Sequence, residues 1–197
     1  FSDWISVLAM GTEGGTVTLV IPRDGEGVVC EDDWDGMGQR LSGTVTVRFH
    51  DVHIAPDEVL GARSSGSGPA GVHSGVGSFF QLYLTSIVAG IVQTVSDDAV
   101  TLLQERTRTF THAPTETARA DPHLLAIVGE LSAAAFSGRA TVLAALPALE
   151  RALDSRVEGI PDQDLATEAA VRAAQAKIVL DDLAVAAASR VFDVAGA

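Results

Sequence analysis

The spacing of apolar positions changes character near residue 62. Before it the chain reads as strands. Trp4 to Met10 is an apolar run, Gly14 and Gly15 read as a turn, and Thr16 to Ile21 alternates Val17, Leu19 and Ile21 with Thr16 and Thr18. From Thr44 to His50, Val45, Val47 and Phe49 fall on one face, with Thr46, Arg48 and the flanking polar residues on the other. Period two with β-branched residues predicts half-buried strands, and Pro22 and Pro56, which lack an N–H donor, close two of these segments. After residue 75 the period is helical. One stripe runs Phe80, Leu84, Ile87, Ile91, Val95, Ala99, Leu102; a second runs from Leu124 through Leu131, Gly138 and Leu149 to Leu153; a third runs from Leu165 through Ala173 and Leu180 to Val194. Each predicts a long helix with one apolar face. Asp121 and Pro122 make an N-cap and first-turn pair for the second helix, and Pro147 is expected to kink it. The expected class is α+β: a β region over 1–62, a small-residue linker over 63–75, and a helical bundle over 76–197.

Composition narrows the classes of function. Of 197 residues, 47% are hydrophobic and 5% aromatic, enough apolar content for a sizeable core. Thirteen Lys and Arg against 26 Asp and Glu leave a net charge of −13, which argues against binding nucleic acid or anionic lipid. A single cysteine, Cys30, excludes an internal disulfide and fits a reducing, cytoplasmic compartment. No apolar run is expected to reach the roughly 18 residues that a membrane helix needs. The start at Phe1, almost directly into strand-like sequence, is expected of a partial chain.

Generic catalytic patterns explain little. Gly66 to Gly71 fits G-x-G-x-x-G, but it lies in the linker with Pro69 inside it, not between a strand and a helix. His50 and His53 are offset by an odd number on a strand and point to opposite faces, with no cysteine or carboxylate cluster to complete a metal shell. Asp181 and Asp182, adjacent on a helix, face different ways and read as a solvated surface. No metal site is expected.

One segment is more specific. Glu31-Asp32-Asp33-Trp34-Asp35-Gly36-Met37-Gly38-Gln39-Arg40-Leu41-Ser42 leads into the strand at Thr44 to Phe49, then Asp51-Val52-His53-Ile54-Ala55-Pro56 and Val59-Leu60-Gly61. This resembles the end of the middle β domain of the acyl-CoA dehydrogenase superfamily. The DDWDGMG form resembles its flavin-dependent monooxygenase branch, which includes dibenzothiophene monooxygenases and sulfur-acquisition oxidoreductases. Arg106-Thr107-Arg108-Thr109-Phe110-Thr111-His112-Ala113 is similar to that branch's stretch after the first bundle helix, and Ser189 to Ala197 resembles its last helix entering a glycine turn.

The resemblance implies a flavin held between the β domain and an up-down bundle in a homo-oligomer, a dimer of dimers. Arg108 is implied as the phosphate ligand, with Arg106 the alternative; Phe110 packs that loop, and Trp34 borders flavin and substrate. A guanidinium fork suits phosphate oxygens. Phe79, Phe80 and Tyr83, at the start of the first bundle helix, are candidates for the substrate pocket, and Arg40 and Ser42 for fixing the turn before the strand. The implied N-terminal helical domain and the segment binding the isoalloxazine ring are absent from this sequence, and the expected catalytic base lies outside it. The implied reaction uses reduced FMN from a separate flavin reductase and dioxygen. A C4a-hydroperoxyflavin oxygenates a small apolar or aromatic, organosulfur-like substrate. Two alternatives stand beside it: an FAD-dependent acyl-CoA dehydrogenase, and a catalytically inactive oligomerising bundle.

Overall fold

The computed structural model describes residues 2–12, 14–38, 41–63, 75–107, 109 and 112–196. The chain divides into two compact units, Phe1–Gly68 and Pro69–Ala197. The α+β class holds: short antiparallel strands come first and three long helices follow. The expected linker and the Gly66–Gly71 pattern fall almost wholly outside the described residues.

In the first unit, β1 (Trp4–Met10), β2 (Thr16–Pro22) and β5 (Val59–Arg63) form one antiparallel sheet in the order β1-β2-β5. β3 (Val28–Cys30) and β4 (Val47–Phe49) form a second, two-stranded sheet. Gly14, at φ 84°, supplies the left-handed turn between β1 and β2. Among the described residues of the sheet, Ile21 is fully buried, at 2% exposed. Ile5, Val7 and Ala9 are half-buried, while Trp4, Leu8 and Met10 on the alternate face are exposed. A strand apolar on both faces is built to be covered on both. β4 is shorter than the strand expected over 44–50. A ladder extends no further than its shorter partner, and β3 offers three residues. Beyond them the Thr46 N–H goes to the Asp33 side chain.

The second unit is a three-helix bundle: α1 (Val76–Glu105), α2 (Pro122–Asp154) and α3 (Gln163–Ala195). The caps follow from the sequence. Asp121 Oδ1 accepts the His123 N–H at 2.8 Å with Pro122 in the first turn, and Asp162 Oδ1 accepts those of Asp164 and Leu165, both at 3.0 Å. Gly196, at φ 81°, ends α3 and donates its N–H to Phe192 O at 3.0 Å. α2 continues through Pro147 as one helix. The ring lies on the exposed side, where the carbonyl one turn back can turn to water.

The second half of α1 (Val92, Ala99, Leu103) packs with the first half of α2 (Leu124, Ile127, Leu131) and the end of α3 (Ala187, Val194). At the other end Leu82 meets Ala145, Leu149, Ala173 and Ala176. The helices therefore run up, down, up, and the ends of α1 and α3 share one end of the bundle with the start of α2. At the middle crossing a Cβ on Gly138 would lie 3.1 Å from Leu180 Cδ1, so a glycine there lets the two helices approach closely.

Two expectations need correction. Over the first half of α1 the stripe read is not the buried face: Phe80, Leu84, Ile87 and Ile91 are exposed, whereas Ser78, Leu82, Thr85, Ala89, Val92 and Ser96 are buried; farther on, Val95 and Ala99 of the stripe do join the core. The helix is apolar nearly all round, and its smaller residues face the neighbours, where close packing rewards them. Second, α1 and α2 are long and apolar enough, by length and composition alone, to cross a membrane. Polar residues such as Gln81, Gln93, Glu130 and Arg139 break the apolar runs in them without making either segment polar on average.

Candidate functional site

The turn after β3 is fixed by its own side chains. Asp33 Oδ1 accepts the Thr46 N–H at 2.8 Å, and Glu31 donates its own N–H to Thr46 O at 2.9 Å. Glu31 and Arg48 form an ion pair at 2.7 Å across the same sheet. The hydrogen bonds from Thr46 hold the Asp33 carboxyl below its usual 3.8. The bond and charge of Glu31 push the Arg48 guanidinium further into its charged form.

Inside this turn the Trp34 indole donates to Gly38 O at 3.2 Å. Its ring lies over Gly36, where an added Cβ would fall 2.2 Å from Cζ2. Gly38 adopts φ 80°. The DDWDGMG spacing is therefore what lets a large ring fold back on its own backbone. Trp34 stays 40% exposed, which leaves part of the indole available for contact. Gln39 and Arg40 lie outside the described residues; Ser42 donates to Thr44 Oγ1 at 2.9 Å.

At the shared end of the bundle, the C-cap of α1 is Arg106. Its backbone N–H closes the helix on Leu102 O at 3.1 Å, and its half-buried side chain donates through Nη1 to Val194 O at 2.7 Å. Nearby, Arg190 bridges Glu130 of α2 at 3.0 Å and Asp193 at 2.6 Å, and both raise its pKa, Glu130 more strongly. Arg108 and Phe110 lie outside the described residues. The stretch concentrates cations: Arg106, Arg108 and Arg119 fall within 14 positions of a chain in which acids outnumber bases two to one, and a guanidinium there that is not bound to protein suits an anion.

Phe79, Phe80 and Tyr83 form an aromatic group on the first turns of α1. Phe79 and Phe80 meet edge to face at 5.6 Å, Phe79 and Tyr83 stack at 6.5 Å, and all three are about half exposed. Sequence reasoning missed a cavity of about 560 Å³ in the first unit, lined by residues including Trp4, Ile5, Arg23, Cys30, Glu31 and Leu41. Trp34 is not among its lining residues. Among the described residues no His, Cys, Asp and Glu cluster could hold a metal ion.

No protein-family model matches the chain. It is 31% identical over 189 residues, 94% of its length, to the dibenzothiophene monooxygenase of Mycolicibacterium goodii. The chain is homologous to about half of a dibenzothiophene monooxygenase. It spans 45% of that relative's length. Over 91 residues it is 35% identical to the L-evernosamine nitrososynthase of a Micromonospora species, covering 45% of this chain and 21% of the relative. In three dimensions it matches TdsC of Paenibacillus sp. A11-2 in complex with FMN and indole, with a TM-score of 0.85 and 29% identity. That match covers all of this chain and 51% of TdsC. The homologues are flavin monooxygenases of the acyl-CoA dehydrogenase fold, as the sequence motifs led us to expect.

Proposed function

We propose that the whole protein is a reduced-flavin-dependent monooxygenase that uses FMN and dioxygen to oxygenate a small apolar or aromatic substrate of the organosulfur class. The observation that carries this reading is the correspondence of the entire chain, at a TM-score of 0.85, with a structure that holds FMN and an indole. In this reading residues 1–62 belong to the β domain, 63–75 to the linker and 76–197 to the helical bundle. Bound FMN supplies the redox chemistry with oxygen. The chain supplies binding and enclosure.

Arg108 is assigned to the FMN phosphate, where a guanidinium fork can match two oxygens and stays charged at every working pH. Phe110 packs the same loop. Trp34, held by Gly36 and Gly38, presents its exposed edge as an aromatic wall against flavin and substrate. Phe79, Phe80 and Tyr83 offer a second aromatic surface that excludes water from the reacting atoms. A flavin reductase as the source of reduced FMN, a cytoplasmic setting and a homotetramer belong to the same proposal.

The test is an anaerobic titration of the full-length protein with FMN, reduced FMN and FAD. Binding of FMN in preference to FAD, weakened at least about tenfold by Arg108→Ala as expected for loss of a charge-assisted pair, supports the reading. Tight FAD binding with acyl-CoA oxidation would move the assignment to a dehydrogenase. Absence of any flavin binding would leave only the oligomerising bundle.

A further inference from the structure

We propose that Arg106 is a positioning residue and not a phosphate ligand: it clamps the chain leaving α1 to the last turn of α3, with Gly196 as the space its guanidinium needs. This rests on the FMN reading above.

The side chain of Arg106 reaches 88 positions along the sequence to donate to Val194 O at 2.7 Å. That carbonyl belongs to the last turn of α3, whose end carbonyls have no partner within the helix. The Val194 side chain is fully buried in the cluster that also contains Leu103, three residues before Arg106. The clamp therefore joins two helix ends that are already packed together.

Gly196 is required twice. Its φ of 81° is left-handed, and an added Cβ would stand 2.8 Å from Arg106 Nη2, 3.1 Å from Cζ and 3.2 Å from Nη1. The guanidinium thus occupies the volume a side chain would fill at position 196.

Charge explains why an arginine serves here. α1 and α3 end side by side, and each C-terminus carries about half a negative charge from its unpaired carbonyls. Two such ends would repel a phosphate brought near them. A guanidinium set on the α3 carbonyl offsets that field and ties the end of α1 to the end of α3. Arg106 is committed to protein, so the arginine two positions later is the one left to meet the anion.

The test uses the full-length protein, titrated with FMN and with riboflavin, which is FMN without its phosphate. Wild type is compared with Arg106→Met, Gly196→Ala and the double variant. The clamp predicts that each single change weakens FMN by about tenfold, the scale of one charge-assisted hydrogen bond. Riboflavin affinity should move less than about twofold, and the double variant should be no worse than the poorer single one. Arg106→Lys, which keeps a charge and a donor, should recover most of the FMN affinity.

If Gly196→Ala leaves FMN binding intact while Arg106→Met weakens it, Arg106 is a direct ligand and the proposal is wrong. Equal losses for FMN and riboflavin would reduce the contact to a stability role, which also overturns it. A wild-type protein that binds neither flavin shows itself before any variant is made, and it overturns the functional reading and this inference together.

Discussion

The carboxylate of Asp33 is hydrogen-bonded by Thr46, through its side chain and through its backbone N–H at 2.8 Å, and these bonds, the side-chain one first, hold its pKa below 3.8. A carboxyl whose folded pKa is depressed adds stability above its unfolded pKa, and the contribution disappears as pH falls through the folded value. Asp33→Asn keeps an acceptor and removes the charge. Wild type should therefore exceed the variant in denaturant midpoint above about pH 4, and the two should converge below the depressed pKa. A gap independent of pH would show that the charge contributes nothing. The same residue illustrates what sequence alone conveys. The DDWDGMG segment was recognisable as a motif, but the reasons for its glycines appear only when the Trp34 ring lies over Gly36 and Gly38 turns to positive φ. Arg106 was equally visible as a cation beside a helix end, yet its partner is 88 positions away. No local pattern encodes such a pairing.

At the scale of elements, the crossing of α2 and α3 turns on one glycine and one leucine. Leu180 is 0% exposed, and its Cδ1 sits where a Gly138 side chain would press. Leu180→Ala should cost about 2–5 kcal/mol, and Gly138→Val about 1–3 kcal/mol from overpacking. The double variant should cost less than the sum, because truncating Leu180 makes room for the new valine. Denaturant midpoints at constant m-value read all three, and simple additivity would mean the two residues do not share a space. The α3 stripe was legible because its buried positions are alanine, leucine and valine against Arg172, Lys177, Asp181 and Arg190 on other faces. On the first half of α1 the same reasoning chose the wrong face, while Val95 and Ala99 farther on were placed correctly. Its outward residues are larger and more apolar than its inward ones, so hydrophobicity alone selects Phe80 and Leu84 over Ser78 and Thr85.

For the whole molecule, that outward face is the remaining question of burial. Beyond the aromatic group, Leu84, Ile87 and Ile91 form one exposed ridge, and residues 76–96 carry no charged side chain at all in a protein of net charge −13. Copies with this much like charge repel one another, so association is favoured only through a surface free of it. An uncharged apolar ridge is of that kind, and leaving it in water would be costly. The proposed tetramer buries it. In the full-length protein, Ile87→Lys with Ile91→Lys should lower the mass measured by light scattering and reduce thermal stability, since each buried lysine would have to be desolvated without a partner. These two positions lie beyond Phe79, Phe80 and Tyr83 on the helix, so the effect is separable from loss of the aromatic pocket surface. If the ridge faces solvent, both measurements stay at their wild-type values, because surface changes away from packing cost about 0.5 kcal/mol or less. A lower mass with unchanged FMN affinity would place the flavin site within one protomer. A joint loss of mass and FMN affinity would mean that the neighbouring copy completes it.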